Sequence, residues 1–299
     1  MKTILVALDG SPIAEQVLPW ARLLGERLPA RLILFTAVPP LTPEVRQAYA
    51  HLRLPLEAAV HVARAEEYLS LTARPLREVG LEVFIKAQEG EPVSQILAYA
   101  QEVHADFIAL TTHGRTGLTR LMLGSVADRL VRTASIPLLL VKARPPTARP
   151  TPPQVQSVLV PLDGSPLAET VLPLALDLAT ALQTEVILAR VVSTPAVVSM
   201  WPEASSYVTE TLEALRQEAL AYLSTHQTRL QAQGHRVRVE VREGQPAEEL
   251  VALARRHKSL VVMATHGYGG ARRLLLGSVA QRVVLTLGGP VVVVRPKEA

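Results

Sequence analysis

The chain repeats itself. Ile4-Leu5-Val6-Ala7-Leu8-Asp9-Gly10-Ser11-Pro12 returns as Val158-Leu159-Val160-Pro161-Leu162-Asp163-Gly164-Ser165-Pro166, and Gly90-Glu91-Pro92 returns as Gly244-Gln245-Pro246. Thr112-His113-Gly114 returns as Thr265-His266-Gly267, and Leu123-Gly124-Ser125-Val126-Ala127 as Leu276-Gly277-Ser278-Val279-Ala280. The offset is 154 residues in the early motifs and 153 in the late ones, so one insertion or deletion separates two copies. A period this long belongs to duplicated domains, since solenoid repeats run to about 20–50 residues. Between the copies stand Pro145, Pro146, Pro150, Pro152 and Pro153, a composition that favours an extended, semi-rigid spacer. The expected organisation is a first domain over 1–143, a proline-rich linker over 144–154 and a second domain over 155–299.

Within each copy, short apolar runs alternate with stretches of helical period. Residues 3–8 form a continuous apolar run closed by Asp-Gly-Ser-Pro, which reads as a strand buried on both faces. Val17, Ala21, Leu24 and Leu28 then recur at helical spacing. Pro19 falls inside that pattern and is expected to kink the helix, with Pro173 repeating the feature. Second strands are expected over Arg31–Val38 and Glu185–Val192. A long helix follows, spanning about Tyr207–Gln233 in the second copy and limited by Pro55 and Pro75 in the first. Further helix–strand alternation ends in Pro137–Val141 and Pro290–Val294. The order β-α-β-α-β-α-β-α-β, twice, predicts two tandem Rossmann-like α/β domains, each a five-stranded parallel sheet flanked by helices.

Ligands of such sheets sit beyond the carboxyl ends of the strands, where the strand order reverses. Two loops of each copy fall there. One is the Asp-Gly-Ser turn at Asp9 and Asp163; the other runs from Thr111 to Ser125, or from Ala264 to Ser278. Glycines let backbone N–H groups approach a phosphate closely. Gly124-Ser125 and Gly277-Ser278 open helices whose first N–H groups and positive dipole end favour an anion. Arg115 in the first copy, and Arg272 or Arg273 in the second, can add charge-assisted contacts. Asp9 and Asp163 can accept from ribose hydroxyls or hold a metal on the phosphates; equally, they are ordinary turn and cap residues. His113 and His266 adjoin the glycine loop, where they serve either to hydrogen-bond it or to move a proton.

At these residues the chain resembles the universal stress protein family. Its ATP-binding members carry Gly, two residues, Gly, nine residues, then Gly-Ser or Gly-Thr. Gly114 with Gly124-Ser125, and Gly267 with Gly277-Ser278, match the latter part, and the opening Asp-Gly-Ser, the Gly-x-Pro and the terminal Pro-plus-apolar strand match as well. The resemblance covers nearly the whole chain, twice. It implies an adenine-nucleotide-hydrolase-like fold and binding of ATP, ADP or AMP, with Mg2+ on the phosphates beside Asp9 or Asp163. It carries nucleotide contacts onto Ala7, Leu8, Val38 and Val126 in the first copy. In the second copy these become Pro161, Leu162, Val192 and Val279. The motif's first glycine is Thr111 in one copy and Ala264 in the other. Alanine adds one methyl and threonine a branched side chain, so the second copy is the expected stronger binder. The resemblance also implies pairing of the two domains through their last strands and association of chains into a homodimer.

Composition narrows the remaining classes. There is no cysteine, which excludes disulfides, thiolate metal sites and cysteine nucleophiles. The net charge of +4 comes from scattered basic residues and aromatics make up 4%, which argues against nucleic acid as partner. No apolar stretch approaches a membrane span, and the apolar run at the N-terminus is short and ends in an acid, so a soluble cytoplasmic protein with no membrane partner is expected. There is no G-x-x-x-x-G-K-[ST] loop, nucleophile elbow or H-E-x-x-H spacing, which leaves slow ATP hydrolysis as the most that an enzymatic reading predicts. The rival reading is an interaction module of the same fold that binds no nucleotide.

Overall fold

Ile4, Leu5 and Val6 in the first copy, and Val158, Leu159 and Val160 in the second, are fully buried. Consecutive strand residues point to opposite faces, so both faces of these strands are covered, as a parallel sheet with helices on each side requires. A computed structural model of the chain describes residues 1–40, 58–113, 123–144, 153–193, 205–265 and 276–296. The chain divides into two units, Met1–Pro153 and Gln154–Ala299.

The first unit runs β1 (Lys2–Ala7), α1 (Leu18–Arg27), β2 (Ala30–Val38), α2 (Ala58–Glu78), β3 (Val83–Glu89), α3 (Pro92–Glu102), β4 (Phe107–Thr111), α4 (Ser125–Thr133) and β5 (Leu138–Val141). The second runs β6 (Ser157–Pro161), α5 (Leu172–Leu182), β7 (Glu185–Val192), α6 (Ser205–Ala232), β8 (Val237–Glu243), α7 (Pro246–Arg256), β9 (Ser259–Ala264), α8 (Ser278–Thr286) and β10 (Pro290–Val294). The strands of the first unit lie in the order β3-β2-β1-β4-β5 and those of the second in the order β8-β7-β6-β9-β10. The pairings within each unit are parallel. Each unit is thus the doubly wound α/β sheet that the alternation predicts. The chain leaves β1 towards β2 on one side and returns with β4 on the other, so the order reverses between β1 and β4, and between β6 and β9. Among the described residues no helix is long and apolar enough to cross a membrane.

Two proline expectations are corrected. Pro19 does not kink a helix. A separate 3-10 turn over Ala14–Val17 comes first, and Pro19 stands in the opening positions of α1. There its missing N–H has no intrahelical partner to lose. Pro173 opens α5 in the same way, after the short helical turn Pro166–Glu169. Pro75 does not limit α2 but lies inside it. The carbonyl it leaves without an intrahelical donor is that of Leu71, an exposed residue, so water can satisfy it.

The single-residue difference between the copies lies in the turn before β4. His104 and Lys258 are equivalent left-handed residues, with φ of +50° and +47°. Phe107 pairs with Ile4, and Leu260 with Val158. The first unit's extra residue there accompanies Asp106, whose carboxylate accepts from the Thr3 N–H at 2.8 Å and from Lys2 Nζ at 3.0 Å.

Candidate functional site

The first loop is set by where β1 stops. Leu8 N–H still donates to the Phe35 carbonyl on β2 at 2.8 Å, and then the chain turns away. Gly10 has φ of +80°, a left-handed conformation that costs glycine nothing. The turn closes on Asp9. Its Oδ1 accepts from Ser11 N–H at 2.9 Å and from Ser11 Oγ at 2.6 Å, while Ser11 Oγ accepts from Ala14 N–H at 3.2 Å. The second unit repeats each bond. Leu162 N–H donates to Ala189 O at 2.8 Å, and Gly164 has φ of +89°. Asp163 Oδ1 accepts from Ser165 N–H at 3.0 Å and Oγ at 2.6 Å, and Ser165 Oγ accepts from Ala168 N–H at 3.2 Å. The turn role of both aspartates is therefore real, and it fixes each carboxylate against its own glycine turn, while the cap role falls to Ser11 and Ser165. Ala7 and Pro161 end the strands; Asp9 is half-buried and Asp163 exposed.

The second loop begins at β4. Thr112 is fully buried, and its N–H donates to Val141 O at 2.9 Å. Its carbonyl accepts from Gly124 N–H at 2.8 Å, which returns the chain to the end of β4. A Cβ on Gly124 would stand 3.1 Å from that carbonyl oxygen and 3.4 Å from His113 Cα, so this glycine answers a close approach of two backbones. Gly124 caps α4 in an extended conformation, with no side-chain hydrogen bond to the helix. Gly124 itself thus offers the first N–H groups of α4 no side-chain acceptor. Gly277 does the same for α8, held by Thr265 O at 2.8 Å and without a side-chain cap.

The pairing of β1 with β4, through Val6 opposite Ala109, puts both loops at one end of the sheet. Ala7, Leu8, Asp9, Thr111, His113, Gly124, Ser125 and Val126 all fall there, as do Pro161, Leu162, Asp163, Ala264, Gly277, Ser278 and Val279. Val38 and Val192 end β2 and β7 at the same side, their carbonyls accepting from Gly90 and Gly244 N–H at 2.9 and 3.0 Å. Ser125 and Ser278 are exposed, Val126 and Val279 half-buried. Thr111 and Ala264 are buried, and Thr111 Oγ1 donates to the His113 carbonyl at 2.6 Å. Gly114, Arg115, His266, Gly267, Arg272 and Arg273 lie outside the described residues. No group of three or more His, Asp or Glu suited to a metal ion occurs among the described residues.

One recurring feature escapes the sequence reading. Tyr68 OH donates to Glu15 Oε1 at 3.0 Å and Tyr222 OH to Glu169 Oε1 at 2.8 Å, tying α2 and α6 to the segment after the first turn. Burial, reinforced by the neighbouring carboxylate, pushes both phenols well above their ordinary value. A raised folded-state value means stability that is present below the unfolded phenol's pKa of 10.0 and lost as pH climbs through the folded one. Melting curves taken from neutral to strongly alkaline pH should show that fall, and the double variant Tyr68→Phe/Tyr222→Phe should flatten it. An equally steep fall in the double variant would place the loss elsewhere.

Comparison with known proteins adds the family. The model of the universal stress protein family matches twice, over residues 1–142 and 154–295. A 77-residue stretch is 38% identical to universal stress protein MJ0531 of Methanocaldococcus jannaschii, covering 26% of this chain and 45% of that one. The chain is 33% identical over 204 residues to universal stress protein Rv2005c of Mycobacterium tuberculosis, covering 68% of this chain and 66% of that one. It thus spans less than half of the first relative's length and about two thirds of the second's. The crystal structure of a universal stress protein from Archaeoglobus fulgidus superposes with a TM-score of 0.69 at 18% identity, over 98% of this chain and 96% of that one, a likeness of fold. Family structures solved with cAMP, and with AMP in the Arabidopsis thaliana case, match 48% of this chain at TM-scores of 0.35 and 0.33.

Proposed function

The chain belongs to the universal stress protein family, and from that premise we propose that each unit binds an adenine nucleotide, ATP with Mg2+ on its phosphates being the expected form and ADP or AMP its relatives. One observation carries the reading. In both units a glycine-capped helix start without a side-chain cap stands at the same sheet end as an Asp-Gly-Ser turn. Free helix N–H groups and a positive dipole end suit phosphates, and a fixed carboxylate beside them suits ribose hydroxyls or a phosphate-bound cation. Val38 and Val192, at the ends of the second strands, border the nucleotide from the same end of the sheet. The functional domains on this reading are 1–143 and 155–299 joined by the linker. The second unit, with Ala264 where the first has Thr111, is the tighter site. Binding shifts the population of a conformation or an assembly state, which makes the protein a nucleotide-dependent regulator in the stress response of the cytoplasm. Pairing of the two units and homodimerisation of the chain belong to the same reading.

Thermal unfolding with added nucleotide tests it. A ligand at 100 times its Kd stabilises the native state by about 2.7 kcal/mol, a shift easily read. ATP, ADP or AMP should produce it, and Asp9→Ala with Asp163→Ala should shrink it. Absence of a shift with all three nucleotides at millimolar concentration would favour the interaction module instead.

A further inference from the structure

The two units differ at one charged position inside the candidate site. At the offset of 154 that relates Asp9 to Asp163, Thr36 of β2 corresponds to Arg190 of β7. Arg190 stands two residues before Val192, on the same face of the strand. Its guanidinium lies at the first-strand turn. The central carbon and both terminal nitrogens are 3.6 Å from the point a Cβ on Gly164 would occupy, next to Asp163. The same group sits over the Tyr222 ring, 5.3 Å from its centre. Tyr222 is fixed in turn by Glu169, and by an edge contact with His226 at 4.8 Å. In the first unit Thr36 is buried, and its Oγ1 has no hydrogen-bond partner among the described residues.

A permanently charged guanidinium is placed here at some cost, since its side chain keeps only 21% of its exposure. One carboxylate partner is Glu218 Oε1, at 3.2 Å, on a side chain that is 64% exposed. A hydrated, singly bonded carboxylate of that kind is readily exchanged for another anion. The cation–π contact with Tyr222 does not use the guanidinium donors, which lie in the plane of the group and suit two oxygens of one phosphate. Position narrows the choice of anion. In Rossmann-like sheets the end of the second strand lies beside the ribose, where an acid recognises free hydroxyls and an arginine a phosphate attached to them.

Resting on the nucleotide reading above, we propose that Arg190 makes the second unit selective for adenine nucleotides that carry a phosphate on the ribose, at the 2′ or 3′ position, in addition to the 5′ phosphate. Thr36 gives the first unit no such preference. The nucleotide's ribose phosphate displaces Glu218 and takes the in-plane edge of the guanidinium.

Isothermal titration of the full chain with adenosine 5′-monophosphate, adenosine 2′,5′-bisphosphate and adenosine 3′,5′-bisphosphate tests this and separates the two phosphate positions. One site per chain should bind one of the bisphosphates about tenfold or more tighter than the monophosphate, the yield of a single charge-assisted pair. Arg190→Thr, which installs the first unit's residue, should bring that ratio to one. Glu218→Gln, on an exposed helix surface that does not endanger folding, should raise it by removing the competing carboxylate. Equal affinities for the three ligands in the unmodified chain, a preference that survives Arg190→Thr, or a ratio untouched by Glu218→Gln would each overturn the assignment while leaving nucleotide binding intact. Silence from all three ligands would instead remove the nucleotide reading and this inference with it.

Discussion

Gly124→Val should abolish nucleotide binding in the first unit, weakening it by a factor of about a hundred or more, while the second unit still titrates. The backbone at Gly124, with φ −61° and ψ 154°, is open to any residue, so conformational strain is not the cause. Space is. A Cβ would meet the Thr112 carbonyl oxygen at 3.1 Å, and that oxygen already accepts from Gly124 N–H at 2.8 Å. Relieving the contact means pulling the start of α4 away from the end of β4, which is the juxtaposition the site depends on. Two further methyl groups enter the space just ahead of the first free N–H groups of the helix. Each charge-assisted hydrogen bond lost there is worth about 1.5–3 kcal/mol, so two suffice for the stated factor. Overpacking costs stability as well, by about 1–3 kcal/mol. Titration calorimetry should find the stoichiometry falling from two nucleotides per chain to one, and melting should begin earlier. Gly124→Ala, with a single added carbon, should sit between. Two undiminished sites in the Gly124→Val chain would show that the phosphates lie elsewhere.

The parts of this molecule that local chemistry dictates were legible in the sequence. A run such as Val291-Val292-Val293 has few alternatives to a strand covered on both faces, and a run repeated 153 or 154 residues away is read twice. The Asp-Gly-Ser turns were legible for the same reason, because Gly10 and Gly164 occupy a conformation that other residues avoid. Pro19 was misread because helical spacing continues across the 3-10 turn and into α1, and periodicity does not register the change of helix type. Pro75 was misread because its cost depends on whether one carbonyl is wet, which is a tertiary fact. The Tyr68–Glu15 bond joins residues 53 apart, and its copy Tyr222–Glu169 keeps the same separation. That recurrence was the one signal that could have found it. Arg190 left only a weaker trace, a charge interrupting an apolar strand where the first copy has threonine.

Phe35→Ala should cost the first unit about 3–5 kcal/mol of stability, the usual penalty for emptying a buried aromatic position. Phe35 is fully buried on β2 and stacks on Tyr99 of α3, with ring centres 5.2 Å apart and planes inclined by 22°. The second unit shows that the position itself does not demand an aromatic ring. Ala189 stands at the same register, opposite Pro161 as Phe35 stands opposite Ala7, and the residue of α7 equivalent to Tyr99 at the offset of 154 is the buried Leu253. What alanine cannot do is fill a space shaped by its neighbours for a ring. The contribution to the site, by contrast, comes from the main chain. Leu8 N–H donates to the carbonyl of Phe35, and Leu162 N–H to that of Ala189, each at 2.8 Å. The substitution should therefore lower the urea midpoint of the first unit sharply and leave the nucleotide affinity of the folded protein nearly as it was. A loss of affinity as large as the loss of stability would mean that the ring, and not the strand carbonyl, positions the Asp9 turn.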